Sequence, residues 1–161
     1  MNKLELGINS YLEGDANTAE KLLRDYMEET SSPKSQAYYY MGPIYDDAGK
    51  TADAGICFQK ALELAPDKSI YNYRLGIIYA QLMLFQQAIP HLEKTIEKNP
   101  EHVRAHLILG EIYLKNGELT KAAAKFRSVT QTSPDYAMGH YSLGNALYYS
   151  GDIKNAKAAF T

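Results

Sequence analysis

The chain has no tryptophan and a single cysteine, Cys57, among 161 residues. One cysteine excludes an intrachain disulfide and makes a reducing compartment the easier reading. No run of 18 apolar residues occurs, which excludes a membrane-spanning helix. The opening stretch MNKLELGINSYLEG lacks the apolar core and small-residue cleavage site of a signal peptide, so a cytoplasmic location is expected. Charge of one sign is also lacking. The net charge is -2, the pI is about 6.1, and no run of five Lys or Arg is found. Such a balance argues against nucleic acid or an anionic membrane held by bulk charge. No low-complexity segment appears.

What the chain has is tyrosine, 14 of them, and a repeat. Gly42, Gly76, Gly110 and Gly144 stand 34 residues apart, and Pro66, Pro100 and Pro134 keep the same step. So do Ala54, Ala88, Ala122 and Ala156, and the bulky series Phe58, Leu92, Phe126 and Phe160. Three residues after each glycine come Tyr45, Tyr79, Tyr113 and then Leu147. A fixed period of this length signals a solenoid. Leu75, Gly76 and Tyr79 lie at helical spacing and form one stripe of the first helix of a pair. The glycine and alanine are small because two helices cross closely there. Each proline ends a second helix. The turn inside each pair carries Gly14, Gly49, Gly117 and Gly151, suited to a left-handed helix end. Met83 breaks that rule in the third repeat, which predicts a tighter or more strained turn.

These landmarks resemble the tetratricopeptide repeat family over essentially the whole chain. The resemblance implies an all-α, right-handed α-solenoid of antiparallel helix pairs. In this frame residues 1–161 form a single domain of about 4.7 repeats, at 1–34, 35–68, 69–102, 103–136 and 137–161, the last incomplete. Leu6, Gly7, Gly14, Ala19 and Leu23 fill the slots of the less regular first repeat. Gly7 to Gly42 is 35 residues, which puts one inserted residue near Ser32 and Pro33 and a loose joint at Thr30–Pro33. The spacing predicts helices over 2–12, 17–30, 36–48, 52–65, 70–82, 86–99, 104–116, 120–133, 138–150 and 154–161. Pro90 is expected near a helix start, where it is cheap. Pro43 falls mid-helix, either as a kink tolerated by packing or as a bend that reshapes the surface beside Tyr39 and Tyr40. No polar terminal cap follows Phe160, which suggests a longer array, a trimmed chain, or an end that pairs with another copy.

Catalytic and metal chemistry find little support. Gly49-Lys50-Thr51 looks like the tail of a phosphate-binding loop, but Ile44 stands where that loop needs glycine, and the segment joins two helices. His102 and His106 have metal-ligand spacing, yet His106 shares a repeat slot with Tyr38 and His140, and no third ligand is placed. Cys57 reads as a small buried hydrophobe. No His or acidic residue is placed to activate a serine. The expectation is a protein that is not an enzyme and carries no cofactor and no metal.

In the family this chain resembles, a variable stripe of each first helix lines a concave groove that holds peptides. The residues matching it here are Tyr39, Tyr40, Pro43, Asp46 and Asp47, then Tyr73, Arg74 and Ile77. Arg104, Leu107, Ile108 and Glu111 follow, and then Tyr141, Asn145, Tyr148 and Tyr149. Seven of the tyrosines, Tyr11 included, fall on the stripe, and tyrosine suits a binding surface. Some of them serve equally well as packing between neighbouring first helices. The family's clamp for the acidic chaperone terminus is absent. From the second repeat its positions hold Tyr39 and Pro43, then Arg74, then Arg104 and Ile108, and no other frame does better. The reading is a non-catalytic scaffold or adaptor that binds a peptide or helical segment of a protein partner. The alternative is a self-assembling module, a homo-oligomer joined through its uncapped end and convex surface. Tyr73 and Tyr141 are expected to be removable without cost to stability.

Overall fold

The computed structural model describes residues 1–29, 31 and 34–160. Among these residues it contains ten α-helices and no strand. By internal contacts the chain divides into two compact units, Met1–Met83 and Leu84–Thr161. The first holds α1 (Lys3–Leu12), α2 (Ala16–Glu29), α3 (Ser35–Asp47), α4 (Thr51–Leu64) and α5 (Ser69–Gln81). The second holds α6 (Phe85–Lys98), α7 (Val103–Lys115), α8 (Leu119–Thr132), α9 (Ala137–Tyr149) and α10 (Ile153–Ala159). The joint expected at Thr30–Pro33 lies outside the described residues, Ser31 excepted. No helix among the described residues is long and apolar enough to cross a membrane.

Within the first unit α1 packs on α2, α3 on α4, and α4 on α5. Within the second α7 packs on α8, α8 on α9, and α9 on α10. The buried positions repeat at helical spacing: Ala37, Met41 and Ile44 on α3, then Ala54, Phe58 and Ala61 on α4. From α2 to α9 both helix ends fall one residue earlier than the spacing predicts. The residue before each turn glycine has already left the helix as its cap.

Those turns are Schellman motifs. Gly49 has φ +75°, its N–H donates to Asp46 O at 2.9 Å, and the Lys50 N–H donates to Tyr45 O at 2.8 Å. The same pair of bonds closes α7, from Gly117 to Leu114 O and from Glu118 to Tyr113 O. In the third repeat Met83 takes the glycine's place with φ +60°. A residue with a Cβ in that region costs about 1–2 kcal/mol, so the expected strain is present.

Glycine in the helices has a different reason. A Cβ on Gly42 would lie 2.4 Å from Phe58 Cζ, and one on Gly110 would lie 2.5 Å from Phe126 Cε1. In these pairs the first helix thus seats the ring tip of its second helix directly on bare backbone. Pro43 sits inside α3, and Pro90 is the sixth residue of α6. Pro90 is therefore past the first turn, where every amide already has a carbonyl partner, so its position is not the cheap one expected.

Candidate functional site

In the first unit the stripe residues form an aromatic ladder across the first helices. Tyr11 of α1 meets Tyr40 of α3 with ring centroids 5.9 Å apart, and Tyr40 meets Tyr39 at 5.1 Å. Tyr39 continues the ladder to Tyr71 of α5 at 5.0 Å and rests on Phe58 at 5.9 Å. Tyr39 is thus a packing residue between α3 and α5, one of the two roles its position allowed. Tyr71 lies off the predicted stripe and is buried, so only the ring geometry reveals its part.

Arg74 is half-buried, and its Nε is enclosed without a hydrogen-bond acceptor among the described residues. Its charge acts on the Tyr11 hydroxyl. Burial, and next the Asp47 carboxylate, push that hydroxyl above the usual tyrosine range, and Arg74 opposes them. Ile77 is half-buried. Tyr73 is 8 % exposed, which overturns the expectation that its ring can be removed without loss of stability.

In the second unit Arg104, Leu107, Ile108 and Glu111 come together. They line one cleft of about 700 Å³ together with Val103 of the same helix and with Tyr136 and Met138. The cleft follows from helical spacing, since the four lie on one face of α7 with Leu107 and Ile108 between the charges. Tyr141 stands apart from that cleft. It is 58 % exposed and lies against Phe160 at 6.1 Å, in a hollow of about 430 Å³ that also includes His140 and Pro134. Asn145 is half-buried, and Tyr148 packs edge-on to Tyr149 at 5.7 Å.

Side chains with reactive potential are engaged structurally. His102 caps α7, its Nδ1 accepting the Ala105 N–H at 3.2 Å. The buried His106 contacts the Pro100 carbonyl through Nε2 at 2.8 Å, and His140 repeats that contact with Pro134 at 2.7 Å. A carbonyl only accepts, so both Nε2 atoms carry the proton. Among the described residues no group of three or more His, Cys, Asp or Glu is placed to hold a metal. Thr51 of the glycine-lysine-threonine stretch donates to Asp46 at 3.0 Å. Cys57 is buried, and burial pushes its thiol up to about 11, which keeps it protonated and inert.

Two hydroxyl contacts escaped the sequence reading. Tyr45 donates to Glu20 at 3.1 Å and accepts from Arg24 at 2.5 Å, while Tyr113 donates to Glu93 at 3.0 Å. Each ties a first helix to the second helix of the preceding pair.

Known proteins place the chain. Two tetratricopeptide repeat models match it, one over residues 35–68 and the other over residues 73–137. No curated protein matches. Among solved structures, a MamA RS-1 double mutant is similar with a TM-score of 0.89 and 24 % identity, covering 99 % of this chain and 92 % of that one. MamA from Desulfovibrio magneticus RS-1, from position 41 to its end, is similar with a TM-score of 0.88, 24 % identity and the same coverage of 99 % and 92 %. Another crystal structure of MamA gives 0.89 at 23 % identity, covering 98 % and 86 %. At these identities the likeness is one of fold. Together the repeat models and the helix pairs identify a family of protein-interaction scaffolds that are generally not catalysts, and the chain belongs to the tetratricopeptide repeat family.

Proposed function

We propose that this protein is a non-catalytic adaptor that binds a segment of a partner protein along the variable face of its first helices. The observation that supports this is the cleft on α7, where four residues of that face line one space of about 700 Å³. Leu107, Ile108 and Met138 supply apolar surface there, and Arg104 and Glu111 supply orientation. In the first unit Tyr11 and Tyr40, both half-buried, supply aromatic surface on the same stripe.

The test is affinity capture from source-cell lysate with the wild type beside Met138→Glu. Met138 is 54 % exposed, so the change puts a charge in the cleft without touching the core. Proteins held by the wild type and lost from the variant, at equal melting temperature, support the adaptor. Identical captures by both baits refute it.

A second reading, self-assembly, is favoured by one feature. Tyr141, Tyr148, Tyr149, Ile153 and Phe160 on α9 and α10 are all between 50 % and 66 % exposed. Clusters of exposed apolar side chains mark association surfaces. Light scattering over a hundredfold range of concentration separates the readings, since only self-assembly makes the mass rise.

A further inference from the structure

The α7 cleft has a polarity that its apolar floor does not explain. Arg104 and Glu111 are both exposed at its rim, seven residues apart on one helix. That spacing is two turns, about 10.5 Å along the axis, too far for the two to pair with each other. Neither forms an ion pair or hydrogen bond with any other described residue. The cleft therefore holds a positive end and a negative end with Leu107 and Ile108 between them.

We infer that the cleft selects an extended segment of a partner that carries one acidic and one basic side chain three residues apart, with apolar residues between. This rests on the adaptor reading and gives it a recognition rule. The spacing follows from geometry, since an extended chain in the polyproline II form advances about 3.1 Å per residue with three residues per turn, so side chains three apart share one face roughly 9 Å apart, close to the 10.5 Å between the charges. The acidic side chain lies over Arg104 and the basic one over Glu111. Reversing them sets like charges together, which costs affinity and disfavours wrong partners.

The test is selection from a displayed library of random octapeptides on two immobilised proteins, the wild type and the doubly exchanged Arg104→Glu, Glu111→Arg. The wild type is expected to enrich one order of charges along the peptide, and the exchanged protein the opposite order. Individual peptides should lose about tenfold in affinity on the exchanged protein at low salt and regain it when their own charges are exchanged. The difference should shrink in 1 M salt. Glu111→Gln alone should erase the preference for the basic residue and keep that for the acidic one, which preserves the test if the double variant folds poorly. The same order on both proteins overturns the inference. Enrichment of apolar or aromatic peptides with no charge order, bound by the wild type and lost by Met138→Glu, overturns it and leaves the adaptor reading standing. No enrichment on the wild type refutes both.

Discussion

Alanine placed at successive glycines should give opposite results that the geometry orders in advance. At Gly110 the new Cβ lands 2.5 Å from Phe126 Cε1 and 2.8 Å from two further ring atoms, and Phe126 is fully buried. Real Cβ contacts do not occur below 3.0 Å, so ring or helix has to move. Overpacking of this kind costs about 2–3 kcal/mol, the upper part of its usual range. Alanine returns about 1 kcal/mol over glycine through helix propensity. The net expectation for Gly110→Ala is a loss of about 1–2 kcal/mol. At Gly55 one atom, Ile78 Cγ2, lies 3.2 Å from the new Cβ, so the propensity gain dominates. Gly55→Ala should be neutral or stabilising by about 0.5 kcal/mol. Gly144 separates geometry from compliance. Its Cβ would come within 2.4 Å of Phe160 Cε1, but Phe160 is 50 % exposed and has room to swing away. Gly144→Ala should therefore cost less than Gly110→Ala despite the nearer contact. Urea unfolding followed by far-UV circular dichroism, compared at equal m-values, reads all three. A Gly110→Ala protein as stable as wild type, or a Gly55→Ala protein below it, would refute the reasoning.

Three further outcomes follow from single residues. Met83→Gly removes a Cβ from φ +60° at a side chain 62 % exposed, so it should stabilise by about 0.5–1 kcal/mol in the same urea assay; a lower midpoint contradicts the strain. Tyr113 is pushed up to about 12, first by burial and then by its bond to Glu93. The unfolded chain ionises near 10, so this group's contribution is full below pH 10 and disappears as pH rises from about 10 to about 12. Tyr113→Phe should cost about 1 kcal/mol at pH 7 and flatten that alkaline loss; an unchanged alkaline profile counts against the assignment. Burial lowers His106 below the usual histidine range, against the pull of the Pro100 carbonyl. Its contribution is present above about pH 6.5 and lost progressively as pH falls below that value towards the lower folded one, because the unfolded chain takes the proton first. His106→Tyr, copying the Tyr38 slot, should make the midpoint at pH 5.5 closer to that at pH 7.5; an unaltered gap refutes it.

The repeat frame was legible because its reasons are local. Gly42 and Phe58, or Gly49 in its turn, answer to contacts inside one helix pair, and such contacts recur with the sequence period. Even the exception at Met83 was readable, since a residue other than glycine stands where the turn demands a positive φ. The candidate face was less legible. Tyr39, Tyr73, Leu107 and Tyr141 share one repeat slot, yet Tyr73 is 8 % exposed and Tyr141 is 58 %. Exposure at that slot is set by whichever side chains neighbouring helices lay across it, and those do not repeat. The hydroxyl contacts hid for a related reason. Glu20 and Glu93 sit in the preceding pairs at different distances in sequence from Tyr45 and Tyr113. The Arg104–Glu111 cleft was largely visible, as four residues of one stripe with Met138 in the same repeat slot as Arg104, while Tyr136, which precedes α9, lay off the stripe.

The seating of each ring on its glycine also bears on how fast the chain finds its fold. Gly42 meets Phe58, Gly110 meets Phe126 and Gly144 meets Phe160, every time across 16 residues. Leu23 approaches Gly7 over the same interval. The loop to be closed for the tightest contact is therefore short and identical wherever it occurs. Local contacts of this kind favour rapid folding, and loop-closure entropy grows only slowly with length. Any pair can nucleate first, and adding repeats lengthens the chain without lengthening the search.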